Sequence, residues 1–189
     1  MDFIFCWILI SNLTTNNYMP QDIEERLHIC SNIISYAPEE YGPELALAIG
    51  WQESGYTDAK GRWICTRKGK LVITKAGTHR CTKTERSTKT PKLVRAEGPM
   101  QILKLYHCKK NPKSCDTTKA GVDLLYSLVK KHGKKKGIAI YAGGYVNPKS
   151  MRYARRAIKL ERKIKNTLPD KFPFVFPKEL LFWLWRVIE

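Results

Sequence analysis

No run in this sequence reaches the roughly 18 to 20 continuous apolar residues that a helix needs to cross a bilayer, so no transmembrane helix is expected and the chain reads as soluble or peripheral. Internal repeats are also missing. No glycine cluster cradles a phosphate, and no serine has a matched triad. His28, His79, His107 and His132 are scattered. Nucleotide and nucleophilic chemistry are therefore not expected, and no cofactor is called for. His79, Cys81, His107 and Cys108 could ligate zinc, but none falls in a C-x-x-C or H-x-x-x-H spacing, so no metal is expected. Acidic residues are scarce. Seventeen Asp plus Glu face 34 Lys plus Arg, a formal charge of +17, which points to polyanionic partners: nucleic acid, anionic lipid or bacterial wall. No zinc-finger, RNA-recognition or basic-zipper pattern accompanies the charge, and Lys130-Lys131 and Lys134-Lys135-Lys136 read as solvated helix ends. Nucleic acid is not the expected partner.

What is present suffices for a core. Hydrophobic residues make up 43% of 189 positions and aromatic residues 11%, suited to one compact domain with short tails. Residues 1–19 read as an apolar segment and linker. The run Phe3 to Ile10 meets half of the signal-peptide pattern, since Asp2 stands where a positive charge belongs. Residues 20–168 form the domain, with a β-wing inserted at about 62–92, and residues 169–189 form an apolar tail. That tail carries Trp183 and Trp185. It either packs back on the domain or makes a membrane-surface or virion contact. Six cysteines include the close pairs Cys65/Cys81 and Cys108/Cys115, each flanking a polar stretch as disulfide staples do. Cys6 and Cys30 read as a third pair or as two free thiols.

Pro20 and Asp22 open an amphipathic helix bearing Ile23, Leu27, Cys30 and Ile34, which Pro38 ends. After Pro43, the run Leu45 to Trp51 is apolar all round, so a second helix is buried and ends near Gln52-Glu53. Trp63-Ile64-Cys65 and Leu71-Val72-Ile73 flank Lys68-Gly69 as a β-hairpin, followed by the basic loop Thr82 to Lys92. Asp116 caps a helix with Gly121, Leu124, Leu125, Leu128 and Val129 on one face, stopped at Gly133. A short helix, Gly137 to Ala142, precedes a basic closing helix with Ala154, Ala157, Ile158 and Glu161 on one face.

Glycoside cleavage needs a proton donor whose pKa lies near working pH, and apolar burial raises a carboxyl pKa by penalising its charged form. Glu53 has that setting. It ends a buried helix, where the negative end of the macrodipole also disfavours a carboxylate, ahead of Ser54 and Gly55. Four blocks follow in order: Trp51-Gln52-Glu53-Ser54-Gly55-Tyr56, Gly98-Pro99-Met100-Gln101-Ile102, Ile140-Tyr141-Ala142-Gly143-Gly144 and Met151-Arg152-Tyr153-Ala154.

With these blocks the chain, over roughly Glu44 to Lys165, resembles the lysozyme-like lytic transglycosylases and the goose-type lysozymes. The resemblance implies a mainly α (α+β) lysozyme-like domain that cleaves peptidoglycan glycan strands in the periplasm or wall space; the small size, charge and lack of wall-binding repeats fit delivery by a phage particle or action at lysis. It implies Glu53 as catalytic acid and base. It also implies Ser54, Gly98, Met100, Gln101, Tyr141 and Tyr153 around the substrate, with Tyr153 supporting Glu53. Ala142 stands where the family has asparagine, and Gly143 replaces its alanine, so one sugar contact is lost. The wing exceeds the usual spacer. The family lets the muramyl 6-hydroxyl attack in place of a second carboxylate. Hydrolysis with Asp58 or Glu97 activating water, and a non-catalytic cationic phage assembly or wall-binding protein, are the competing readings.

Overall fold

Helical spacing of apolar residues decides most of the architecture. The computed structural model describes residues 2–14, 22–67, 69–74, 76–87, 89–108 and 114–167. The fold is mixed α+β and mainly helical, with 57% of the described residues in helix and 13% in the strands of small sheets. The tail at 169–189 and both readings of it lie outside the described residues, as does Pro20.

The first helix, α1 (Asp2–Leu13), buries Cys6, Leu9 and Ile10 in the same core as the rest of the body. Cys6 is disulfide-bonded to Cys30 of α2 (Ile23–Tyr36), so these cysteines are a pair and not two thiols. Helix α2 has Glu24 and Glu25 in its first turn, where the dipole favours acids, and stops just ahead of Pro38. It buries Leu27, Ile29, Cys30 and Ile33. Helix α3 (Glu44–Ser54) is buried from Leu45 through Gly50, as expected of a helix apolar on every side. Gly50 has no room for a side chain. A Cβ there would sit 2.7 Å from Cδ1 of Ile33, which lets α3 lie close on α2.

The wing departs from the expected hairpin. Strand β1 (Lys60–Cys65) pairs antiparallel with β4 (Leu93–Glu97), while β2 (Lys70–Ile73) pairs with β3 (His79–Thr82). The hairpin turn is therefore at Thr74–Thr78, where Thr74 N donates to Thr78 O at 2.8 Å and Gly77 takes φ +75°. Gly69 serves packing instead, since a Cβ there would lie 2.3 Å from Cβ of Pro91. The disulfide Cys65–Cys81 joins the two sheets.

Beyond the wing come α4 (Lys104–His107), α5 (Thr117–His132), α6 (Lys134–Gly143) and α7 (Pro148–Thr167). The Asp116 carboxylate accepts from Lys119 N at 2.9 Å, the cap expected for α5, and Cys108–Cys115 closes the segment ahead of it. Helix α6 starts earlier than expected, at Lys134. On α7, Ala154, Ala157 and Ile164 are fully buried against the body. Three disulfides fit an oxidising compartment, extracellular or periplasmic. They also use Cys81 and Cys108, which removes those sulfurs as zinc ligands. Among the described residues no helix is long and apolar enough to cross a membrane.

Candidate active site

Glu53 occupies the last turn of α3, and the chain behind it is fixed by several contacts. Gly55 turns the backbone at φ +65°, and its carbonyl accepts from Nη1 of Arg26 at 2.6 Å. Arg26 is held in turn by a two-point pair with Asp22. Tyr56 is fully buried despite φ +63°, donates its hydroxyl to Leu47 O at 2.9 Å and meets Trp51 edge-on. These contacts hold the α3 terminus in one conformation.

Burial pushes the Glu53 carboxyl above the ordinary glutamate value of 4.5, against the opposing pull of a hydrogen bond from Tyr153. The Tyr153 hydroxyl donates to Oε1 of Glu53 across 100 positions of sequence, from the inner face of α7. Burial first, and then the neighbouring carboxyl, push Tyr153 far above the tyrosine range, so it remains a donor at any working pH. Tyr141 on α6 is raised for the same two reasons, and its hydroxyl donates to the Met100 carbonyl at 2.5 Å.

The Gly98–Gln101 turn is the second structural piece. Gly98 stands at φ +78°, with Thr117 Oγ1 only 2.0 Å from where a Cβ would be, so this residue has a steric role. Met100 is fully buried and rests on Gly121 of α5, where a Cβ would approach the methionine Cβ to 2.2 Å. Ser54 donates to Pro99 O at 2.9 Å and accepts from Thr57 N at 3.2 Å, so its hydroxyl ties this turn to the end of α3. Gln101, at φ +48°, donates through Nε2 to Ala59 O and Gly98 O and lines the cleft.

That cleft has a volume of about 680 Å³, and its wall includes Glu53, Gly61, Ile64, Gln101, Tyr141 and Ala142 to Gly144. Of the seven residues singled out from sequence, Glu53, Gln101 and Tyr141 border it. Tyr153 reaches it through Glu53, while Ser54, Gly98 and Met100 build the framework behind it. Ala142 lines the cleft with a methyl group where an amide would have offered a hydrogen bond.

Sequence periodicity missed part of the wall. Leu124 and Leu128 share a stripe with Leu125 and Val129, but only the latter two are buried in the core, and the former pair faces the cleft. His107, read as a scattered histidine, lines the cleft too. The spacing of Leu124 and Leu128, one helical turn apart and offset by about 100° from Leu125 and Val129, was the available signal.

Glu53 is the only carboxylate among the described lining residues. Glu97 is held below the usual range by its hydrogen bond to Lys104, and also by Arg95, in ion pairs of 3.0 and 3.3 Å. Asp58 is exposed, with its backbone N donating to Glu25 Oε1 at 2.9 Å. Among the described residues no three His, Cys, Asp or Glu side chains come together as a metal site. No protein-family profile, curated protein or solved structure matches this chain.

Proposed function

We propose that this chain is a peptidoglycan lytic transglycosylase on a lysozyme-like scaffold, cleaving the β-1,4 bond between N-acetylmuramic acid and N-acetylglucosamine. The observation that carries the reading is Glu53, a carboxyl whose pKa burial raises and which Tyr153 orients, on the wall of a cleft whose described lining holds no second carboxylate. Tyr153 takes Oε1, which leaves Oε2 to carry the transferable proton.

Glu53 gives that proton to the glycosidic oxygen as the bond to muramyl C1 breaks, with the substrate's N-acetyl group assisting departure. The resulting carboxylate then takes the proton of the muramyl 6-hydroxyl as O6 bonds to C1. One C–O bond breaks and one forms, no water is consumed, and the strand ends in a 1,6-anhydromuramyl residue. Attack within the bound sugar replaces a protein nucleophile by positioning. The site is the periplasm or extracellular wall space, and the small size, positive charge and lack of wall-binding repeats suit delivery by a phage particle or action at lysis.

The test is digestion of purified peptidoglycan by wild type and Glu53→Gln, with the released muropeptides weighed by mass spectrometry. Anhydro ends that disappear with Glu53→Gln are the expected result. Reducing ends would make the enzyme a hydrolytic muramidase. Release by neither protein would leave a cationic assembly or wall-binding protein.

A further inference from the structure

The positive charge is concentrated on one part of the molecule. Residues 130–167 contain thirteen Lys and Arg against a single acid, Glu161, a net +12 of the chain's +17. That one acid is already engaged by Lys134 at 2.5 Å. On α7 the side chains of Lys149, Arg152, Arg155, Arg156, Lys159 and Arg162 are all exposed. Their spacing puts them on one face, with a charge about every 4 Å on average along roughly 20 Å of helix.

We infer that this exposed face of α7 is a docking strip for a phosphodiester polymer of the bacterial wall, a polyol-phosphate chain that runs along the helix. The inference rests on the wall-degrading reading for its setting and on charge complementarity for its partner. Four of the six cations are arginines, whose planar fork binds phosphate oxygens in pairs. A linear row of charges suits a linear polyanion.

The same face is poorly made for the other polyanions. An interfacial membrane helix inserts an apolar side. Here that side, with Ala154, Ala157 and Ile164, is buried in the protein, and no exposed large hydrophobic residue lies on α7. Nucleic-acid strips interleave cations with aromatic or amide side chains that stack on or read bases. Between Lys149 and Arg162 no exposed aromatic or amide is present. The inner face of α7 presents Tyr153 to Glu53, so a polymer bound to the exposed strip leaves that contact free.

The experiment uses the full chain with Glu53→Gln, so that walls stay intact, and measures co-sedimentation with purified walls before and after chemical removal of their polyol-phosphate. Free glycerol-phosphate polymer, double-stranded DNA and anionic lipid vesicles serve as competitors. The expected result is retention that drops at least about tenfold on stripped walls and weakens steeply with salt. Substituting Arg152, Arg155, Lys159 and Arg162 by glutamine should give the same drop, whereas the three arginines changed to lysine should give a smaller one, since the charge is kept and only the paired contact is lost. Arg156 is left unchanged because its charge acts on Tyr153. Should the glutamine variant fail to fold, competition on the unsubstituted strip decides instead. Equal retention on stripped walls, or stronger competition by DNA or vesicles than by the phosphate polymer, overturns the inference. Failure of the activity itself appears separately, as no muropeptide release from stripped walls by wild type.

Discussion

The helical body and the β-wing are held by different forces. In the body, Leu47, Ile49, Met100, Leu125, Ile138 and Ile164 are fully buried, and each contributes about 1.5–3 kcal/mol of apolar transfer. Among the described residues of the wing, Val94 is the one large hydrophobic side chain that is buried, while Ile64, Leu71 and Ile73 are 46%, 37% and 63% exposed. Two two-stranded sheets of this kind are marginal alone, and here a covalent bridge, Cys65–Cys81, holds them together. Burial fixes the Glu53 carboxyl, whereas covalent closure joins the two sheets of the wing. The division is useful if substrate entry needs one wall of the cleft to yield and the other to stay rigid.

Removing the chemistry from the body should have the largest effect. Glu53→Gln should lower turnover on peptidoglycan by about 10²–10⁴-fold, the range for loss of a general acid, with far-UV circular dichroism unchanged. Next comes the core. Leu125→Ala should cost about 2–5 kcal/mol in global unfolding by denaturant, because Leu125 is fully buried between helices. Replacing Cys65 and Cys81 together by serine opens a loop with a separation of 16 residues, for which chain entropy assigns about 3 kcal/mol. That loss should appear as faster amide exchange confined to residues 60–97, with the body's thermal transition in place. A fall in body stability equal to that of Leu125→Ala would erase the distinction between the two regions.

A smaller effect sharpens the role of α7. Tyr153→Phe deletes the hydrogen bond that lowers the Glu53 pKa, so burial then acts unopposed. The alkaline limb of the pH–rate profile should move upward, with turnover down about tenfold. The smallest effect is thermodynamic. Because the folded pKa of Glu53 lies above 4.5, the folded state binds more protons than the unfolded state between that value and the folded pKa, and stability falls as pH rises through this window. Glutamine has no such ionisation. Glu53→Gln should therefore match wild type in Tm below pH 4.5 and exceed it by a few degrees at neutral pH.

Legibility in the sequence followed the same division. The body could be read because a helix buried all round, a proline stop and an aspartate cap are local patterns, and Glu53 could be read as the carboxylate at the end of such a helix. The Tyr153 contact was accessible only through the order of four short blocks, since nothing local links positions 53 and 153. Arg26 gave no signal, because its bond to Gly55 O joins two helices through a side chain that reads as an ordinary surface cation. Strand pairing in the wing was misread because the chain does turn before Gly69, with Gly69 N donating to Thr66 O, but the strands on either side pair with β4 and β3 and not with each other. Short strands with little burial have their register set by loop contacts, and those contacts lie between segments.

The bridge between α1 and α2 has a further consequence. A protease that cuts the connection between Leu13 and Ile23 cannot release α1, because Cys6 remains bound to Cys30. The nicked molecule would hold its first helix as a tethered ligand at an effective concentration in the millimolar range or above, so Leu9 and Ile10 would keep their places in the core. Only reduction combined with cleavage would let the helix go, so the two chemistries act as a logical AND on the N-terminal part of the molecule.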